Sequence, residues 1–152
     1  MERFIRREQK AVQHAAYTRE IKRAYLGEYD RFFDYVYGAI CMSGAYPAAA
    51  RLFDELARVT LAHCEQLGQI LHLFGEDAAL NTRILQSSKK GAEVTLLLDT
   101  AIHDEGDATH YYKKLAALAP VDAARHALSE ISAEKEGHVV ALSGLKARLS
   151  RT

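Results

Sequence analysis

Apolar residues recur at helical spacing along almost the whole chain, and the pattern breaks in few places. Pro47 and Pro120 each stand where one helical pattern stops and another begins. Gly75 marks a third break, directly after the run LGQILHLF. These cuts predict four helices, over roughly residues 6–44, 48–74, 90–118 and 121–149. The stripe of the first runs Ile21, Tyr25, Phe32, Tyr35, Ala39, and that of the second Leu52, Leu56, Val59, Leu67, Ile70, Phe74. The third carries Leu98, Ala101, Ile102, Ala108, Tyr112, Leu115, and the fourth Ala127, Leu128, Ile131, Ala141, Leu142, Leu145, Leu149. Segments that alternate with period two are few, so the expected class is all-α. Helices of about 25–30 residues, rising about 1.5 Å per residue, make a bundle about 40 Å long. The stretch GEDAALNTRILQSS, residues 75–88, is long for a hairpin between neighbours. Extended, it reaches about 50 Å, enough to run the length of such a bundle. That predicts one long crossover, with the second and third helices parallel.

Each stripe has a gap near mid-length, and a polar residue fills it. Glu28 interrupts the first helix, His63 the second, Glu105 the third and His138 the fourth. The interruptions repeat. Glu28 precedes Tyr35 by seven residues, and Glu105 precedes Tyr112 by seven. His63 follows Glu28 by 35 residues, and His138 follows Glu105 by 33. The two halves therefore carry one pattern, Glu–x6–Tyr and then His. Two such hairpins packed face to face bring Glu28, His63, Glu105 and His138 to one place. Carboxylate and imidazole on facing helices are ligands for iron or manganese, and bundle cores are where such sites are built. Tyr35 and Tyr112 recur beside the site, either as core aromatics with inward hydroxyls, or as redox-active or glutamate-holding groups. Gly27, Gly106 and Gly137 adjoin site residues and suggest close helix approach.

These segments resemble the ferritin-like superfamily, closest to its rubrerythrin-type and bacterioferritin-type di-metal bundles. GEYDRFFDYVYGA is similar to that family's first ligand helix, RVTLAHCEQLGQIL to its second, DEGDATHYYKKL to its third and AEKEGHVVAL to its fourth. The likeness covers about residues 17–149, within one domain of residues 1–152 that has a basic N-terminal extension, 1–16. It implies a ferritin-like four-helix bundle with one long crossover between helices two and three. It also implies that Glu28 and Glu105 are terminal carboxylate ligands and that His63 and His138 are histidine ligands. The family places a bridging Glu three residues before each His. Here those positions are Thr60 and Lys135. Glu134, Glu136 and Glu65 lie off the ligand line.

Charge then discriminates between states. Two divalent ions beside two carboxylates and Lys135 leave a large uncompensated charge in a poorly solvated core, which costs several kcal/mol per ion. Two arrangements balance better. In one, no metal binds and Lys135 is the internal cation of Glu28 and Glu105, leaving one negative charge for a protonated histidine. In the other, a single iron or manganese ion binds Glu28, Glu105, His63 and His138 while Lys135 turns aside or is neutral. The first points to a bundle without ordinary di-iron oxidase, peroxidase or ferroxidase chemistry. The second points to an oxidoreductase acting on peroxide, oxygen or a small organic substrate, with Lys135, Tyr35 and Tyr112 as its candidate catalytic groups. A third expectation is an oligomeric binding or assembly module.

Composition adds limits. The 152 residues hold 20 basic and 20 acidic side chains, a neutral balance that argues against a nucleic-acid binder. The first 23 residues are locally basic, with seven cations against three carboxylates. That segment is a solvated face or a docking surface for an acidic partner or lipid. No apolar run approaches the roughly 18 residues of a membrane span, and no secretory signal is present. The expected setting is cytoplasmic, as a homo-oligomer with a redox partner or small-molecule substrate. Cys41 and Cys64, in helical patterns and without metal-like spacing, are expected reduced and mostly buried. His14, His72, His103, His110 and His126 show no ligand pattern and are expected at the surface.

Overall fold

The computed structural model describes residues 1–78 and 93–152. Within them the chain forms four helices: α1 (Glu2–Met42), α2 (Pro47–Leu73), α3 (Val94–Ala117) and α4 (Asp122–Leu149). Pro47 stands in the first turn of α2, where its missing N–H costs nothing. At the other end, Glu76 N–H bonds Leu71 C=O and Gly75 N–H bonds His72 C=O. This is a Schellman stop, and Gly75 supplies the left-handed residue it needs, with φ of 72°. None of the four is long and apolar enough, among the described residues, to cross a membrane.

Two boundaries differ from the sequence reading. α1 begins at Glu2 rather than near residue 6. Glu93 is extended, so α3 begins at Val94, while residues 79–92, including most of the expected crossover, lie outside the described part.

Short turns make α1–α2 and α3–α4 antiparallel hairpins. Hydrogen bonds give the relation between hairpins. Tyr17 of α1 bonds Leu115 of α3, and Tyr35 of α1 bonds Glu105 of α3, so the two helices run in opposite directions. α2 and α3 are therefore parallel.

The apolar stripes meet in two clusters. One gathers Ile21, Leu67, Ile70, Leu115, Leu128 and Ile131. The other gathers Tyr35, Phe53, Leu56, Leu98, Leu142 and Leu145. Ala141 of the fourth stripe is exposed instead. Between the clusters lies a layer of buried polar groups: Glu28, Thr60, His63, Glu105, Thr109, Ser132, Lys135 and His138. The mid-length gaps in the stripes are this layer.

The glycines correct one expectation. A Cβ added at Gly27, Gly106 or Gly137 meets nothing within 4 Å, so none of the three permits close approach. Gly38 does: a Cβ there would sit 2.5 Å from the Phe53 ring. Opposite effects are therefore expected in denaturant unfolding. Gly137→Ala should stabilise by up to about 1 kcal/mol through helix propensity. Gly38→Ala should destabilise by about 1–2 kcal/mol, because overpacking against the buried Phe53 ring outweighs that gain.

Candidate functional site

The antiparallel run of α1 and α3 explains the Glu–x6–Tyr repeat. Seven residues are about two turns, or about 10 Å of rise. Two opposed helices carrying that spacing place each Tyr opposite the other helix's Glu. Tyr112 OH donates to Glu28 Oε1 at 2.9 Å, and Tyr35 OH donates to Glu105 Oε1 at 2.6 Å. The hydroxyls hold the glutamates. Burial, and then the adjacent carboxylates, push both phenols well above their ordinary range.

All four sequence-predicted ligand positions come together. Glu28, His63 and Glu105 are essentially without solvent exposure, and His138 is nearly so. The two imidazole rings stack with centroids 6.0 Å apart. His138 Nδ1 lies 3.2 Å from Glu105 Oε2. His63 Nδ1 lies 3.6 Å from Glu28 Oε2, too far for a good hydrogen bond, and has no other partner among the described residues. Thr60 Oγ1, one turn earlier, is also buried without a partner. Among the described residues, no three His, Cys, Asp or Glu side chains are disposed to share a metal ion.

Lys135 lies at the centre. Its Nζ donates to Glu28 Oε2 at 2.9 Å and to Glu105 Oε1 at 3.3 Å, and the side chain is fully buried. The position follows from register: Lys135 is one turn before His138 on the buried face of α4.

Two participants are not among the sequence candidates. Arg31 Nη1 donates to Glu28 Oε1 at 2.9 Å, and its Nε lies 3.6 Å from Glu105 Oε1. It stands one turn beyond Glu28 on the same face, which was the available signal. Its counterpart in the second half, three residues after Glu105, is Ala108. Arg31 changes the charge account. The two buried carboxylates, Glu28 and Glu105, face two cations, Lys135 and Arg31. Glu134 is the second. Although off the ligand line, its Oε2 sits 2.8 Å from His63 Nε2 and caps that ring toward solvent.

Burial alone raises the Glu28 carboxyl, but His63, Lys135 and Arg31 more than offset it and hold it well below the usual carboxylate range. For Glu105 the same opposition, led against burial by His138 and then Lys135 and Arg31, brings it down to about 2. Arg31 is held above its ordinary value because Glu28 and Glu105 outweigh its burial. Cys64 is buried and its thiol is pushed up to about 12, mainly by burial, whereas Cys41 is exposed, contrary to expectation. The other five histidines are at the surface, as expected.

One open cleft of about 310 Å³ between α1 and α3 reaches this layer. Arg31, Glu28 and Tyr112 line its floor side, with Arg23, Asp104 and Asp107 also on its walls.

No family model and no curated protein matches the sequence. Among solved structures, the chain is similar to a dodecameric thioferritin of Bacteroides fragilis, a bacterioferritin-related protein. The identity is 18%, the TM-score is 0.80, and the match covers 91% of this chain and 88% of that one. The fold is a ferritin-like four-helix bundle.

Both glutamates titrate lower when folded than the unfolded value of about 4.3, so the stability they give is complete above it. It is lost as pH falls through the folded values, which for Glu105 means toward about 2. Urea unfolding across that acid range should show this loss. Lys135→Met, at neutral pH, should cost about 3–5 kcal/mol by leaving a buried carboxylate without its cation. Adding Glu28→Gln should recover part of that loss and flatten the acid slope.

Proposed function

We propose that this protein is a ferritin-like bundle whose centre is held by ion pairs in place of a di-metal centre, and that it works as a subunit of a homo-oligomer rather than as a di-iron oxidase or ferroxidase. One observation carries the reading: the Lys135 amine is hydrogen-bonded to both Glu28 and Glu105.

The donor set does not fit two divalent ions. Glu28 Oε1 already accepts from Tyr112 and Arg31, and Oε2 from Lys135. Glu105 Oε1 accepts from Tyr35 and Lys135, and Oε2 faces His138. No carboxylate oxygen is spare. The bridging positions hold a hydroxyl and an amine, and two cations already face the two buried carboxylates. Placing two divalent ions there would add uncompensated charge to a buried site. The subunit reading draws support from the fold's likeness to a protein that is a dodecamer.

A second reading keeps a single iron or manganese ion. The unpartnered Nδ1 of His63, beside Glu28, favours it. It requires Lys135 to leave the carboxylates, and a small oxidant or organic substrate to enter through the cleft beside Arg31. The protein would then be an oxidoreductase.

Elemental analysis of protein expressed with iron and manganese supplied separates these readings. Wild type should carry neither metal in stoichiometric amount. The variant Thr60→Glu, Lys135→Glu, Arg31→Leu restores both bridging carboxylates and removes both cations, and should gain metal. A wild-type protein with two ions per chain would contradict the proposal. One ion per chain that disappears in His63→Ala would select the second reading. Failure of the folded triple variant to gain metal would mean that the two cations and the missing bridging carboxylates are not what excludes the ions, contrary to the proposal.

A further inference from the structure

α1 is much longer than its partners, with 41 residues against 27 in α2. Burial begins only at Tyr17, and every residue from 1 to 16 is exposed. Beyond His14, whose ring packs edge-on against Phe74 at the end of α2, the arm projects by about 20 Å at 1.5 Å per residue.

The arm is strongly two-sided. At about 100° per residue, Met1, Phe4, Ile5, Ala11, Val12, Ala15 and Ala16 fall within one sector about 140° wide. Phe4, Ile5 and Val12 are 64%, 46% and 66% exposed, so this apolar face is uncovered. Arg3, Arg6, Lys10 and His14 occupy the opposite side, and Arg7 sits toward one edge of the apolar sector. Glu8 stands inside that sector.

We infer that the arm docks on a second copy of this chain, in the groove between the C-terminal part of α1 and the N-terminal part of α2. This deepens the subunit reading above and rests on it. The groove has a volume of about 710 Å³, with Val36, Ile40, Pro47 and Ala50 among its apolar lining and Arg51 and Glu55 among its charged residues. Ile40 is 67% exposed. The lining suits the arm: apolar side chains meet apolar side chains, Arg51 can pair with Glu8, and Glu55 with Arg7.

Charge agrees on the larger scale. Residues 1–16 hold four basic and two acidic side chains, and the remaining 136 hold 16 and 18, so a +2 arm meets a −2 body. The contact is between molecules by construction. Arm and groove lie on one continuous helix, about 45 Å apart along its axis, so a chain cannot fill its own groove. Repeated from copy to copy, such a contact builds an assembly.

Other occupants fit less well. A bilayer would have to take Glu8 into its apolar region. Two arms packed together would set Glu8 against Glu8, because residue 8 is the arm's midpoint.

The test is mass in solution, by light scattering and native mass spectrometry, with circular dichroism confirming that each variant is helical. Wild type should be oligomeric. Phe4→Asp with Ile5→Asp, and separately Ile40→Asp, should each reduce the mass. Arg7→Glu and Glu55→Arg should each shift wild type toward smaller species, and the two mutations combined should restore assembly. An oligomer unmoved by any of these variants would overturn the arm proposal while leaving the subunit reading intact. A monomeric wild type would overturn both, and binding of that monomer to anionic phosphatidylserine vesicles would identify a membrane as the occupant.

Discussion

A buried amine held between two buried carboxylates organises this molecule. Lys135 contacts Glu28 of α1 and Glu105 of α3 from its place on α4, and Arg31 adds the second cation. Three helices thus converge on one ion-pair cluster. The reciprocal Tyr–Glu bonds extend it, and each of them ties one hairpin to the other. Buried ion clusters seldom add much net stability compared with apolar packing of the same volume. Their effect is on register: a one-turn slip of α4 would carry Lys135 away from both carboxylates and leave them unpaired. The two apolar clusters above and below supply the burial, and the polar layer fixes how they align.

Most of the architecture was legible because four helices bury four periodic stripes, and period is a property of the sequence. The site was legible for the same reason in reverse, since Glu28, His63, Glu105 and His138 interrupt those stripes. Lys135 could be placed by its distance from His138. What escaped depends on reach rather than on position. Arg31 is only partly buried, and its long side chain brings a guanidinium inward from a residue that reads as surface. Glu134 likewise reaches around α4 to His63. Glu134 departs from the face its Cα occupies, so counting residues per turn misses it, whereas Arg31 shares the Glu28 face and is hidden only by its partial exposure. The charge account made without these two residues was short by one cation, Arg31, and by one carboxylate, Glu134.

The site and the arm use the same helix differently. In its middle α1 buries a carboxylate and half-buries an arginine beside it. At its start it leaves an apolar sector bare. The first arrangement is complete within one chain, with polar groups satisfied apart from Thr60 Oγ1 and His63 Nδ1 among the described residues of the layer. The second is incomplete by itself.

The most direct test of the central claim is diffraction from crystals grown with excess iron and manganese, with anomalous data collected at both absorption edges. The account predicts density for the Lys135 amine between Glu28 and Glu105, and no anomalous peak within the polar layer. An anomalous peak between the two glutamates, or a Lys135 side chain directed to solvent, would contradict it.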